Sequence, residues 1–164
     1  MIEPIPLTAY ALAQRYAHEI RELTGDGQHH PWIQWALMLC GHGPNAPDST
    51  PWCSAFVNAI CWELRLPRSK SALARSWLAI GIPVPLDQAT VGFDIVVLSR
   101  GTGGVQPGPE NLTAPGHVGF FAGLDTRPSS PRPDGVLVLA GNQGDAVSLD
   151  RFPIASVLGV RRVR

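Results

Sequence analysis

The stretch DSTPWCSAFVNAICWEL, residues 48–64, places a cysteine directly after Thr-Pro-Trp and before an apolar run of helical character. We expect a helix with Thr50 as its N-cap and Pro51 as its first residue, ending before Pro67. Cys53 then lies in the first turn, where unpaired backbone N–H groups and the helix dipole favour an anion. Such a position lowers the pKa of a thiol, so Cys53 is a candidate nucleophile. The alternative is a small buried core residue.

The composition restricts the classes of function. The 164 residues are enough for one domain, residues 1–164. Thirteen basic and thirteen acidic residues give zero formal net charge, so neither nucleic acid nor an anionic membrane is an expected partner. No apolar run approaches the ~20 residues that span a bilayer. With three cysteines and no visible secretory signal, we expect synthesis in the cytosol and reduced thiols rather than a disulfide framework.

Helices are expected in the first half of the chain. Thr8 can cap a first helix whose apolar and small residues recur with a period of 3.6 and end before Gly25. The helix that carries Cys53 is the third. The second helix is expected to begin at Pro31 and to end before Gly41. The fourth is expected to run from a cap at Ser69 or Ser71 to Gly81.

After Pro85 the pattern changes to short apolar runs separated by loops rich in glycine and proline. The predicted strands are DIVVLS (94–99), HVGFFA (117–122), VLVLAG (136–141), AVSL (146–149) and VLGVRRV (157–163). Residues 100–116 and 123–135 are expected to form exposed loops. Helices followed by a meander of strands indicate an α+β fold, with an antiparallel sheet of about five strands covered by helices on one face.

A thiolate nucleophile needs a base, and His117 is the candidate. Alternation along its strand places His117, Gly119 and Phe121 on one face. The second nitrogen of the imidazole needs an acceptor to orient the ring. The segment that ends the next strand offers Asn142, Gln143 and Asp145 for this role, and the residues alone do not choose among them.

The motifs TPWCSAFVNAICWE, SALARSWL, DIVVLSRG, GHVGFFAG, VLAGNQGDAVSL and VLGVRR follow one another along the chain. In this order they resemble the NlpC-type and CHAP superfamily of cysteine peptidases and amidases, and most closely its small single-domain bacterial and phage-associated members. The resemblance covers about residues 32–162 and leaves residues 1–30 as an N-terminal helical addition. It implies a papain-like α+β fold and hydrolysis of amide bonds in bacterial cell-wall peptides.

The resemblance also implies roles for particular residues. Cys53 is the expected nucleophile, His117 the base and Asn142 the polar third residue. Apart from these implied roles, Trp52, because it is next to the nucleophile, and Gln143 are expected to contact the substrate, and the alternative for Trp52 is a core residue. The substrate is the peptidoglycan stem peptide, cut by an endopeptidase or an N-acetylmuramoyl-L-alanine amidase, and no cofactor or metal is required.

The sequence departs from the family pattern at one turn. Pro-Gly-Asp usually precedes the first strand of the family, whereas this chain has Val91, Gly92, Phe93 and Asp94. Asp94 is therefore expected to be structural.

The substrate lies outside the cytoplasm, whereas no secretory signal is visible. We therefore expect the protein to act in the periplasm or cell wall after delivery. The delivery is either secretion as an antibacterial effector, with an immunity protein in the producing cell, or release during phage lysis.

Other classes of function compete with this interpretation. Cys40, His42, Cys53 and Cys61 supply metal-ligand chemistry, but their spacing does not match a zinc site. On one helix, Cys53 and Cys61 are about 12 Å apart in rise, which one tetrahedral site does not accommodate. A non-catalytic or metal-binding papain-like module, and a cysteine hydrolase or deamidase of a cytosolic protein, are the remaining alternatives.

Overall fold

The computed structural model describes residues 7–101, 105–126 and 131–164. Within these ranges the fold is α+β. The helices are α1 (Ala9–Arg15), α2 (Pro31–Met38), α3 (Cys53–Glu63) and a 3₁₀ helix, Ala74–Ala79, besides two short 3₁₀ turns. The strands are β1 (Ile82–Val84), β2 (Asp94–Ser99), β3 (Gly116–Asp125), β4 (Gly135–Gln143), β5 (Ala146–Pro153) and β6 (Val157–Arg162). They form one antiparallel sheet in the order β1-β6-β2-β3-β4-β5.

The predicted α+β class and all five predicted strands are confirmed, and the sheet has one strand more than expected. The additional strand, β1, has only three residues and contains Pro83, so it carries little sequence signal. It pairs with β6 at the edge of the sheet, where a proline is tolerated.

The helix boundaries differ from the prediction in three places. The Thr8 side chain caps α1 as expected, accepting from the Ala11 N–H, but α1 ends at Arg15 because the chain turns at His18 with a φ of 66°. α3 begins at Cys53 with Trp52 as its N-cap, so Thr50 is not the cap. The fourth predicted helix is a shorter 3₁₀ helix.

The two faces of the sheet have separate apolar clusters. The residues of the face toward α3 include Ile95, Val97, Val118, Phe120 and Leu139. The residues of the opposite face include Val96, Leu98, Phe121, Val138 and Val160. The rings of Phe56 on α3 and Phe120 on β3 meet edge-on at 6.2 Å between centroids. This packing fixes the beginning of α3 beside the beginning of β3.

A buried polar network joins α3 to the segment before the 3₁₀ helix. The amide of Asn58 donates to the Ser69 hydroxyl and the Ser71 carbonyl, and its oxygen accepts from the Lys70 N–H. The Ser54 hydroxyl donates to the same Ser71 carbonyl. Because Asn58 is fully buried and its polar groups are paired, the network fixes residues 69–71 against α3.

Asp94 is structural, as the sequence indicated. Its buried carboxylate accepts two hydrogen bonds of 2.7 Å from the Arg162 guanidinium and one of 2.8 Å from the Thr90 N–H. This bidentate pair joins β2 to β6.

Parts of the two predicted loops lie outside the described residues, namely 102–104 and 127–130, as do residues 1–6. Among the described residues, no helix has both the length and the apolar character that a membrane crossing needs.

Candidate active site

Cys53 is the first residue of α3, and the backbone N–H groups at this helix end have no side-chain cap. Trp52 occupies the N-cap position and makes no side-chain capping bond. In the part of the chain that the structure describes, the N–H groups of Cys53 and Ser54 therefore have no side-chain acceptor, and both act to lower the pKa of the Cys53 thiol. The Val118 N–H of β3 acts on the sulfur in the same way. The thiol thus lies beside the residue that follows His117.

Burial nevertheless dominates the ionisation of this thiol. Desolvation raises the pKa of Cys53 above its ordinary value, although the three N–H groups and the charge of Arg100 act in the opposite direction. Desolvation also raises the pKa of Cys61 to about 12 and that of Cys40 to about 11. Since the resting thiol of Cys53 is protonated, its attack on a substrate requires a base.

The His117 imidazole is buried and has a defined tautomer. The Gln143 amide nitrogen donates to the Ser148 carbonyl at 2.6 Å, which turns the amide oxygen toward His117. That oxygen lies 2.9 Å from His117 Nε2 and can only accept, so Nε2 carries the proton and donates. Within the described residues, Nδ1 makes no hydrogen bond. Its lone pair is thus available to take a proton.

Burial also keeps this imidazole neutral. Desolvation lowers the pKa of His117, and the charge of Arg100 acts in the same direction, whereas Gln143 and Asp150 act to raise it. A neutral imidazole with a free Nδ1 is the form that a general base requires.

The residue that orients His117 is Gln143, so the assignment of this role to Asn142 is corrected. Gln143 also lines the His117 cavity, and its expected contact with substrate stays a prediction. Simple alternation from Val138 and Ala140 along β4 would put Asn142 on the His117 face. A bulge after Ala140 inserts one residue, so Gln143 rather than Asn142 pairs with Ala146 on β5. The bulge changes which side chain meets the imidazole, and Asn142 itself has a φ of 59°.

Cys53 and His117 are neighbours without direct contact. In the part of the chain that the structure describes, no hydrogen bond joins the sulfur and the imidazole. His117 shares the sheet face of Leu98 and Phe121, and its ring lies 5.4 Å from the Phe152 ring between centroids. The alternation of β3 therefore directs the imidazole away from α3, and proton transfer requires a side-chain movement.

Two adjacent cavities contain the candidate groups. A cavity of about 280 Å³ is lined by Pro51, Cys53, Ala72, Leu73, Ala74, Arg100, Thr113, Ala114, Pro115 and Gly116. A second cavity of about 220 Å³ is lined by Ser99, Arg100, His117, Asn142, Gln143, Gly144, Asp150 and Phe152. Arg100 lines both cavities. Together they extend from the thiol to the imidazole along the end of β2.

The prediction that Trp52 contacts substrate is wrong. Trp52 is fully buried, and its indole N–H donates to a Glu22 carboxylate oxygen at 2.9 Å. An added Cβ at Gly141 would lie 2.3 Å from the Trp52 ring, so the ring fills the space beneath β4. Trp52 is a packing residue that supports the beginning of α3.

Two arginines of this region were not predicted from the sequence. Arg100 follows β2 directly and opens a glycine-rich segment, a pattern that places a cation at a strand end. The fully buried Arg75 interrupts the apolar segment SALARSWL. Its guanidinium donates to the carbonyls of Pro107, Gly108, Asn111 and Pro115 and so fixes the backbone that leads to His117.

A metal site is not formed by the candidate ligands of the sequence. Across residues 7–101, 105–126 and 131–164, no group of three or more His, Cys, Asp and Glu side chains is arranged to hold a metal ion.

Comparison with protein-family models and with curated protein sequences found no match to the chain.

Proposed function

We propose that this protein is a papain-like cysteine hydrolase that cleaves amide bonds. The observation that carries the proposal is the pairing of an uncapped helix N-terminus at Cys53 with an imidazole whose tautomer is set by Gln143. The first feature stabilises negative charge on sulfur or on a substrate oxygen. The second leaves Nδ1 of His117 free to accept a proton.

The reaction follows from these groups in balanced steps. His117 moves toward Cys53, and its Nδ1 takes the thiol proton while the sulfur forms a bond to the substrate carbonyl carbon. The N–H groups of Cys53 and Ser54 stabilise the oxyanion. The imidazolium then protonates the leaving amine as the C–N bond breaks. Water, deprotonated by His117, displaces the sulfur from the acyl group and restores the thiol.

The proposed substrate is the stem peptide of peptidoglycan, cut either between sugar and peptide or within the peptide. The support for this substrate is the order of motifs that resembles the NlpC-type and CHAP enzymes, from TPWCSAF to VLGVRR. Since this substrate lies outside the cytoplasm, the proposal includes delivery as an antibacterial effector, with an immunity protein as partner, or action in phage lysis.

Digestion of purified sacculi tests the proposal. The wild-type protein is expected to release soluble muropeptides, whose masses identify the bond that is cut. Cys53→Ala should reduce release by about a thousandfold or more, because no other group supplies the nucleophile. Cys61→Ala is the matched control, since Cys61 is a buried packing residue of the same helix. Equal digestion by wild type and Cys53→Ala would refute the proposal.

A further inference from the structure

Arg100 is a cation that lines both halves of the candidate site. It follows the last residue of β2, Ser99, and lines both the cavity of Cys53 and that of His117. In the part of the chain that the structure describes, its guanidinium makes no hydrogen bond and no ion pair. Three other arginines have paired guanidinium groups: Arg151 and Arg162 bind carboxylates, and Arg75 binds backbone carbonyl groups.

The described residues that line the two cavities with Arg100 carry few other charges. The other described residues that line the cavity of Cys53 are apolar, small or uncharged, so among the described residues Arg100 alone gives this lining a formal charge at neutral pH. Among the described residues that line the cavity of His117, Asp150 is the only acidic one, and no ion pair joins it to Arg100. The guanidinium is near enough to both reacting groups to act on their ionisation. A substrate bound across the two cavities therefore passes Arg100.

We propose that Arg100 binds a free carboxylate of the substrate next to the bond that is cut, which makes the protein selective for anionic peptides. A guanidinium presents paired N–H donors that match the two oxygens of a carboxylate. The small and apolar residues 72–74 and 113–116 leave room for short side chains beside the thiol. This inference rests on the proposed hydrolase function, and it names the chemistry that its substrate should carry.

Alkylation of Cys53 tests the cation without any substrate. Iodoacetate and iodoacetamide have nearly the same shape, and with either one the thiolate forms an S–C bond and iodide leaves. Their rate ratio at Cys53 cancels changes in the pKa of the thiol, and peptide mass spectrometry separates Cys53 from Cys40. We expect Arg100→Gln to lower the iodoacetate-to-iodoacetamide ratio about three- to tenfold. Arg100→Lys should retain part of the preference, and the exposed control Arg15→Gln should not change it. An unchanged ratio in Arg100→Gln would overturn the proposal.

Hydrolysis provides the second measurement, with muropeptides whose stem-peptide carboxylates are free or converted to carboxamides. The wild-type protein should have a kcat/KM about ten times higher on the free acids, and Arg100→Gln should remove this difference. Equal losses on both substrates would refute carboxylate recognition. If the wild type cleaves neither substrate, the hydrolase proposal fails, while the alkylation ratio still reports whether a cation lies beside the thiol.

Discussion

Gln143 is the residue that sets the tautomer of His117. Its amide is oriented by the Ser148 carbonyl, and this orientation in turn determines which imidazole nitrogen holds the proton. The side chain is nearly buried, so its hydrogen bond is not exchanged for water. In the proposed reaction Gln143 acts through His117, and we describe it as a positioning residue.

Substitution of Gln143 tests this role. Gln143→Ala should lower kcat/KM by about ten- to a thousandfold, because the imidazole loses the acceptor that keeps the proton on Nε2 and leaves Nδ1 free. Gln143→Glu should retain more activity and move the acid limb of the kcat/KM profile to higher pH, since a carboxylate stabilises the imidazolium. A merely structural role would not move that limb.

Asn142 provides the matched control for this experiment. Its left-handed backbone conformation suits glycine, so Asn142→Gly removes the side chain without added strain. We expect kcat/KM to change less than threefold, since the Asn142 side chain makes no hydrogen bond among the described residues. A severe loss in Asn142→Gly together with a mild loss in Gln143→Ala would refute the assignment.

The position of α3 depends on its polar anchor as well as on its apolar face. Asn58 is fully buried, and its contacts hold residues 69–71, which precede the wall of the Cys53 cavity at Ala72. A buried amide with several paired groups specifies one position of the neighbouring chain more sharply than apolar contacts do.

Removal of this anchor should destabilise the protein measurably. Asn58→Ala leaves the Lys70 N–H without its side-chain acceptor and the partly buried Ser71 carbonyl with one donor fewer, so we expect a loss of about 1–3 kcal/mol in the free energy of unfolding by urea. The exposed Asn45 provides the control, and Asn45→Ala should stay within about 0.5 kcal/mol of wild type. Equal stabilities of the two variants would show that the network contributes nothing.

At the scale of the whole molecule, Asp48 connects three segments of the N-terminal half. Its buried carboxylate accepts from the backbone N–H groups of Leu23 and His30 and pairs with His29 at 3.2 Å. Burial alone would raise the pKa of Asp48, but these hydrogen bonds outweigh it and lower the pKa below its ordinary value. The folded state therefore favours the carboxylate.

This shift predicts a loss of stability in acid. A carboxyl whose pKa is lower in the folded state stabilises the fold above its unfolded pKa of about 3.9 and loses that contribution as the pH falls. Asp48→Asn should cost about 2 kcal/mol of unfolding free energy at pH 7, and the difference from wild type should shrink below pH 4. Burial raises the pKa of the neighbouring Glu22, and the charge of Asp48 adds to this rise, so the loss of that charge in Asp48→Asn offsets part of the difference at pH 7. Urea unfolding at pH 7 and pH 3 measures the effect, and a constant difference would contradict it.

The sequence by itself determined the α+β class, the five longer strands and the place of Cys53 in the first turn of its helix. These features follow from local periodicity and from residues such as Thr8 and Pro31 that act on their own segment. The likeness of the motif order to NlpC-type and CHAP enzymes also came from the sequence alone, and the substrate proposed from it stays a prediction.

Only the tertiary structure decided which side chains meet. Because of the bulge in β4, the side chain that contacts the imidazole is that of Gln143 and not that of Asn142. The packing around α3 buries Trp52 completely. The tertiary structure also places Arg100 in the lining of both the Cys53 cavity and the His117 cavity. A one-residue bulge reverses the faces of a strand, and packing depends on partners distant in sequence, so neither has a dependable local signal.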